Sequence, residues 1–181
     1  AAGVVAHNHD ANSGCNNTTP VQWAKNGHYY LAVCSPRTTW TNAREAAAAR
    51  GGYLATATSA EENAFIFTLI NFYEIWYYEP VYKKYMGPAI GGIQTPGSPE
   101  PSGGWTWLTG ETWSYTSWQP GEPNNFGSGE NVLAYVRYSA QWNDMPASNT
   151  GFNGYVVEWE MYITVNATAD ALRKAGMPVQ L

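Results

Sequence analysis

The chain has little charge of either sign, few cysteines and no long apolar run. Only 13% of its 181 residues are charged, and nine Lys and Arg against fourteen Asp and Glu give a net charge of −5. Because no basic run is present, nucleic acid is not an expected partner. No apolar stretch approaches the length that crosses a bilayer, so we expect no membrane insertion.

Aromatic residues are abundant where charge is scarce. The chain contains nine Trp and thirteen Tyr, and its length suffices for one domain that buries roughly 70% of its unfolded surface. We expect a polar N-terminal arm over 1–20, the domain over 21–160 and a C-terminal extension over 161–181. The chain starts at Ala1 without Met, as expected of a mature secreted product and equally of a recombinant fragment.

The segment from Trp105 to Trp159 contains neither Cys nor His. It therefore has no ligand set for zinc. It is rich instead in carboxylate and amide oxygens, carried by the motifs Glu122-Pro123-Asn124 and Trp142-Asn143-Asp144 and by Glu130 between them. Calcium takes six to eight oxygen ligands, so this stretch predicts a calcium site.

Proline and glycine around these motifs predict that the oxygen donors lie on loops. We expect the Glu122-Pro123 peptide bond to be cis, which only ~5 to 6% of X-Pro bonds are. Taken singly, each motif is also typical of an ordinary turn. Taken together and in this order, they favour the metal site.

The order of the motifs resembles that of a C-type lectin-like domain over about 21–160. The resemblance is carried by a series of short segments, which are His28-Tyr29-Tyr30, Thr39-Trp40-Thr41, Gly51 to Ala55, Ser59 to Asn63, Ile90 to Ile93, Trp105-Thr106-Trp107, Trp118 to Asn125, Trp142-Asn143-Asp144 and Val157-Glu158-Trp159. It implies an α+β fold in which two helices flank two small antiparallel sheets and a long calcium-binding loop region.

The resemblance also implies that the ion bridges the protein to a glycan. Its calcium ligands would be Glu122, Asn124, Glu130, Asn143 and Asp144. Two vicinal sugar hydroxyls would complete the shell, with the two Glu accepting hydrogen bonds from the sugar and the two Asn donating them. The Glu-Pro-Asn order implies a preference for mannose, glucose, fucose or N-acetylglucosamine, whereas Gln-Pro-Asp goes with galactose.

Three further expectations follow from the resemblance. Phe126 is the best candidate for a sugar-stacking ring, because the neighbouring tryptophans mostly pack inside in this family. Glu61 and Glu158 are candidates for an accessory ion, although Glu61 is equally explained as a favourable acid in the first turn of a helix. The family's two disulfides are missing, since their positions correspond to Ala47 with Val157 and Val132 with Ala147, which favours a bacterial or phage relative and compensating apolar packing.

Catalysis is not expected. The three carboxylates could suggest a glycoside hydrolase, but residues that hold calcium cannot serve as acid and nucleophile. The alternative to a sugar-binding module is a protein-interaction or ice-binding module on the same scaffold. An extracellular location and a larger multivalent assembly fit the lectin interpretation.

Local signals predict the main elements. Thr41 caps an Ala-rich helix that ends at Gly51 or Gly52. Ser59 and Glu62 form a capping box for a helix over about 60–71, whose apolar face carries Phe65, Leu69 and Phe72. Two strands are expected over 132–137 and 155–160.

The remaining segments leave alternatives open. Cys15 and Cys34 form one bridge or stay two thiols, and their even number favours the bridge. The aromatic stretch over 73–104 is a long connection that either determines specificity or packs over the domain by its Tyr rings. His7 to Asp10 is interpreted as a solvated arm, and a short helix is expected over 168–175.

Overall fold

The computed structural model describes residues 14–80, 83–127 and 129–162. The expected helix over 168–175 and the His7 to Asp10 segment lie outside these residues. The described part contains two α-helices, α1 Trp40–Ala49 and α2 Ala60–Ile70. Its strands are β1 Val21–Gln22, β2 Tyr29–Thr38, β3 Tyr53–Leu54, β4 Tyr77–Glu79, β5 Lys84–Gln94, β6 Trp105–Trp107, β7 Val132–Val136, β8 Gln141–Met145 and β9 Phe152–Trp159.

These strands form two antiparallel sets that join into one mixed sheet. In the first set β2 pairs with β1 and β9, and β9 also pairs with β3. In the second set β5 pairs with β4, β6 and β7, and β7 pairs with β8. Within residues 14–80, 83–127 and 129–162, the two sets are joined by the parallel pair Ala89 and Tyr155. The expected α+β class is confirmed, and its two sheets are continuous through this one contact.

Helix α1 begins two residues earlier than expected. Thr39, not Thr41, is the N-cap, and its side chain accepts the backbone N–H of Asn42 at 3.1 Å. Trp40, Ala43 and Ala47 are the buried positions, and this spacing places the cap before Trp40. The helix ends as predicted, because Gly51 adopts φ +75°, a conformation that glycine permits without steric cost.

Helix α2 buries a different face from the expected one. Ser59 accepts the N–H of Glu62 at 3.1 Å, so one half of the capping box forms. The Glu62 carboxylate instead accepts the N–H and hydroxyl of Thr58. The buried residues are Glu62, Asn63, Ile66 and Ile70. The expected Phe65, Leu69 and Phe72 are only partly buried and pack against the core cluster from outside.

The expected connection over 73–104 contains the central strand of the second set. Strand β5 lies inside it, and most of its residues are buried. Gly91 of β5 is explained by close backbone, because a Cβ there would come within 2.5 Å of the Leu54 carbonyl oxygen. The Tyr rings of this segment pack as in the second alternative, with Tyr85 against Tyr73, Tyr78 and Tyr138.

Cys15 and Cys34 form a disulfide with a Cα–Cα distance of 5.3 Å, as predicted. The positions of the missing family disulfides are packed with apolar side chains. Ala47 and Val157 are fully buried in one cluster, and Val132 is buried there too, with Ala147 packed against it. Apolar contact therefore takes the place of both cross-links.

Candidate functional site

The oxygen-rich residues lie on two adjoining pieces of chain. Glu122, Asn124 and Glu130 belong to the long loop between β6 and β7, and Asn143 and Asp144 belong to β8. The structure thus brings together residues that are up to 22 positions apart in the sequence.

Two backbone hydrogen bonds hold the middle of this loop against β8. Trp142 donates its N–H to the Ser117 carbonyl oxygen at 2.8 Å, and Gln119 donates to the Trp142 carbonyl oxygen at 2.9 Å. The Glu122-Pro123 peptide bond that follows is cis, as predicted. The loop is therefore held in place on the side of β8 that precedes Asn143.

A cluster of tryptophans supports the loop from below. Trp107 and Trp142 meet edge to face at 5.6 Å between ring centroids, and Trp118 meets Trp142 in the same way at 6.0 Å. Trp142 is completely buried. These rings pack in the core, as expected, whereas Phe126 in the loop is 63% exposed.

Asp144 is the centre of the site. It is completely buried, and its carboxylate accepts the backbone N–H groups of Asn124 at 3.1 Å and Asn125 at 2.7 Å. Because each carboxylate oxygen has two lone pairs, these two donors leave acceptor capacity on Asp144.

Backbone donors also reach the other loop oxygens. Phe126 donates its N–H to Asn124 Oδ1 at 2.8 Å and to Glu130 Oε2 at 2.7 Å. Asn125 was not among the predicted site residues, yet its Oδ1 accepts the N–H groups of Gly129 and Glu130. Asn125 adopts φ +49°, a conformation that Asn tolerates better than most residues. This tolerance is the sequence signal that could have identified Asn125 as a turn residue of the loop.

Two oxygens of the site have no hydrogen-bond partner among the described residues although they are buried. They are Glu122 Oε2 and Asn143 Oδ1. Buried polar atoms are nearly always paired, so each such atom calls for an explanation. The amide of Asn143 is oriented by its Nδ2, which donates to the Asp144 carbonyl oxygen at 2.8 Å and to Met145 Sδ at 3.3 Å.

The electrostatics of the site favour a positive charge. Burial, followed by the negative charge of Asp144, raises the pKa of Glu122 and of Glu130 to about 7. Lys84, on β5, opposes this effect, with its Nζ 4.0 Å from Glu122 Oε1. Arg137 acts on the pKa of Glu122 in the same direction as Lys84. Neither residue was among the predicted site residues, and Lys84 had no local signal because β5 is far from the loop in the sequence.

The donor set suits calcium in type and number. Three carboxylates and two amides offer five hard oxygens, and the remaining places in a shell of six to eight can be taken by ligand or water. In the part of the chain that the structure describes, no three His, Cys, Asp or Glu side chains form a ready-made metal cluster. Binding an ion here would use the two Asn oxygens as well as the acids.

The candidate accessory site looks different. Glu61 is exposed on α2, whereas Glu158 is completely buried. The Glu158 carboxylate accepts the N–H of Thr56 at 2.9 Å and faces His28 Nδ1 at 2.6 Å.

The acid that adjoins Glu158 is Glu62. The hydroxyl of Tyr30 lies 2.6 Å from Glu62 Oε1 and 3.0 Å from Glu158 Oε1. Asn26 Nδ2 also donates to Glu62 Oε1, at 2.9 Å. Hydrogen-bond donors therefore serve both buried acids, and the structure does not bring Glu61 into this network.

Comparison with known proteins identifies relatives of the fold. A family model described as "Lectin C-type domain" matches residues 36–152, which is more than half of the chain. The low affinity immunoglobulin epsilon Fc receptor of Mus musculus is 32% identical over 116 residues, covering 64% of this chain and 29% of the receptor. The chain thus spans less than a third of that receptor's length.

Solved structures with a similar fold include C-type lectin domains. The cow C-type carbohydrate-recognition domain of CD23, solved in the presence of GlcNAc2Man3 oligosaccharide, gives a TM-score of 0.62 at 23% identity, covering 81% of this chain and 97% of that one. A complex of SPL-1 with GlcNAc gives a TM-score of 0.60 at 22% identity, covering 82% of this chain and 98% of that one. A calcium-independent type II antifreeze protein gives a TM-score of 0.60 at 18% identity, covering 79% of this chain and 92% of that one. At these identities the likeness shows the fold alone.

Proposed function

The chain belongs to the C-type lectin domain family, and on that basis we propose that it binds a sugar through a calcium ion. The observation that carries the proposal is the pair of buried oxygens without a protein partner, Glu122 Oε2 and Asn143 Oδ1. A bound cation would satisfy both, and would offset the repulsion among the neighbouring acids. The protein ligands of the ion would be Glu122, Asn124, Glu130, Asn143 and Asp144.

When bound, calcium would supply the charge that attracts two vicinal hydroxyls of the sugar. Five protein oxygens and two hydroxyls make seven ligands, within the usual range for calcium. The carboxylates of Glu122 and Glu130 would accept hydrogen bonds from the hydroxyls. Asn124 is exposed, and its NH2 group is the donor that a ligand in solution meets first.

Asn143 would be the second donor. One of its two N–H bonds is directed to Met145 Sδ at 3.3 Å, and a thioether is a weak acceptor. A sugar hydroxyl that takes the place of Met145 Sδ along this N–H bond would exchange a weak acceptor for a stronger one. The other N–H bond, to the Asp144 carbonyl oxygen, can stay in place and keep the amide oriented.

The proposed sugars are those with an equatorial hydroxyl pair, namely mannose, glucose, fucose or N-acetylglucosamine. The order of acceptor, Pro and donor in Glu122-Pro123-Asn124 supports this choice. The mannose- and GlcNAc-containing ligands named with the cow CD23 domain and with SPL-1 belong to the same class.

A glycan array with calcium and with EDTA tests the proposal. We expect mannose-type glycans to bind in calcium and to be lost in EDTA, and Asn143→Ala to abolish binding because it removes one ligand and one donor. Asn42→Ala is the matched control, since Asn42 is exposed on α1. Binding that persists in EDTA and in Asn143→Ala would refute the mechanism.

Exchanging acceptor and donor tests the sugar class. In the double variant Glu122→Gln, Asn124→Asp, the acceptor and donor change places, and we expect preference to move from mannosides to galactosides. A variant that folds, binds calcium and still prefers mannosides would show that these two residues do not set the class.

The proposal places the protein outside the cell and gives it no catalytic role. The Cys15–Cys34 disulfide supports an oxidising compartment. Three acids that hold an ion cannot also act as the acid and nucleophile of a hydrolase. Because single sugar sites are weak, we propose that the domain acts within a multivalent assembly. The fold likeness to an antifreeze protein is no specific support for ice binding.

A further inference from the structure

A cavity of about 410 Å³ lies beside the candidate calcium site. Asn124, Glu130 and Asn143 line it on one side, so the cavity is continuous with the proposed ligands. Its volume is in the range of pockets that enclose most of a drug-sized ligand. That is more room than two sugar hydroxyls at an ion require.

The rest of the cavity is largely apolar. Met86 on β5, Met145 at the end of β8 and Pro146 after it form this part, and Phe126 lies at the loop side. Methionine side chains adapt to ligands of different shape. These side chains provide an apolar surface for an uncharged group, and Glu79, Lys84 and Asn149 are the polar residues that line this part of the cavity with them.

The charges on the wall do not favour an anionic group. Lys84 lines the cavity, but Glu79 is its cross-strand partner on β4 and lines the cavity too. Lys84 Nζ also lies 4.0 Å from Glu122 Oε1. Lys84 thus lies between acids and offers no unmatched positive charge to a carboxylate or phosphate substituent.

We infer that this cavity binds the apolar aglycone of a glycoside whose sugar is held at the calcium ion. The inference rests on the proposed function, because the sugar fixes where the aglycone can reach. It deepens that function by naming the ligand class: an alkyl or aryl glycoside of a mannose-type sugar.

Calorimetric titrations with methyl α-mannoside and phenyl α-mannoside, both in calcium and in EDTA, test the inference. We expect the phenyl glycoside to bind about tenfold more tightly, the effect of burying part of an aromatic ring. Equal affinities within twofold would overturn the inference and leave the proposed function intact. If neither glycoside binds in calcium, the proposed function fails and the inference with it.

Two changes at one position provide the matched control. Pro146 is only partly buried and is not a proposed calcium or sugar ligand. Pro146→Glu adds a charge to the apolar wall and should reduce the advantage of the phenyl glycoside to less than threefold, with methyl α-mannoside affinity unchanged. Pro146→Leu keeps the wall apolar and should keep the advantage.

Two further results would contradict the inference. A phenyl advantage that persists in Pro146→Glu would show that the ring binds elsewhere. Tight binding of phenyl α-mannoside in EDTA would show that the aglycone does not depend on the anchored sugar.

Discussion

Calcium affinity should depend steeply on pH between 6 and 8. Burial and the charge of Asp144 raise the pKa of both Glu122 and Glu130 to about 7 in the ion-free protein. A carboxyl must be ionised to act as a calcium ligand, so ion binding competes with protons. Carboxyls at their ordinary value of about 4.5 would be fully ionised throughout this range.

The magnitude follows from the two pKa values. With both near 7, the fraction of molecules in which both carboxyls are ionised falls about 100-fold from pH 8 to pH 6. Apparent calcium affinity should therefore weaken by about 100-fold over this interval. Glu130→Gln removes one of the two groups, so its affinity should be lower throughout but should change only about tenfold with pH.

Calcium titrations followed by calorimetry at pH 6, 7 and 8 measure this dependence. Glu160→Gln is the control, because Glu160 is an exposed acid after β9 and should leave the 100-fold change intact. A change of less than threefold in the unmodified protein would refute the reasoning, since it would mean that the two carboxyls are not protonated together near neutral pH.

The same pKa values determine the direction in which the stability of the ion-free protein changes with pH. The folded carboxyls bind protons more tightly than the unfolded ones, so their stabilisation is present below about pH 4.5 and is lost as pH rises through about 7. Calcium removes this trend, because the calcium-bound protein holds both carboxyls ionised, as they also are in the unfolded chain above pH 5. Thermal unfolding should therefore show a melting temperature that falls from pH 5 to pH 8 in EDTA and stays nearly constant in saturating calcium, so that the stabilisation by calcium grows with pH.

Two further predictions concern stability and are measured by urea unfolding. Thr39→Ala should cost about 1 kcal/mol, the usual effect of losing an N-cap, whereas Thr41→Ala should cost a few tenths at most; the reverse order would restore Thr41 as the cap. Tyr30→Phe removes the hydroxyl shared by Glu62 and Glu158 and should cost about 1 to 3 kcal/mol, while an unchanged midpoint would show that the other donors satisfy both acids.

The sequence predicted features that depend on neighbouring residues. The cis bond before Pro123 and the glycine that ends α1 are local signals and are confirmed, and the even cysteine count correctly favoured the disulfide. The order of the oxygen-bearing motifs led to the fold because that order is shared by a whole family. The predicted cap Thr41 was wrong, because Trp40 before it is already a buried residue of the helix and Thr39 is the cap.

Features that depend on distant residues were missed. Asn63 is buried on α2 because its Oδ1 accepts from the Tyr135 hydroxyl at 2.7 Å and from Trp142 Nε1 at 3.0 Å. These partners lie 72 and 79 positions away, so hydrophobic periodicity favoured Phe65 instead. Strand β5 was missed for the same reason, because its glycines are required by backbone and side chains from distant parts of the chain, such as Leu54 and Leu133, whereas glycines in the sequence alone suggest a loop.

The central claim is that a sugar binds through an ion held by the loop and β8, and one titration tests it most directly. Methyl α-mannoside should bind the protein weakly and at one site in millimolar calcium, give no heat of binding in EDTA, and bind again when excess calcium is restored. Equal binding with and without calcium, or binding of the galactoside alone, would contradict the account.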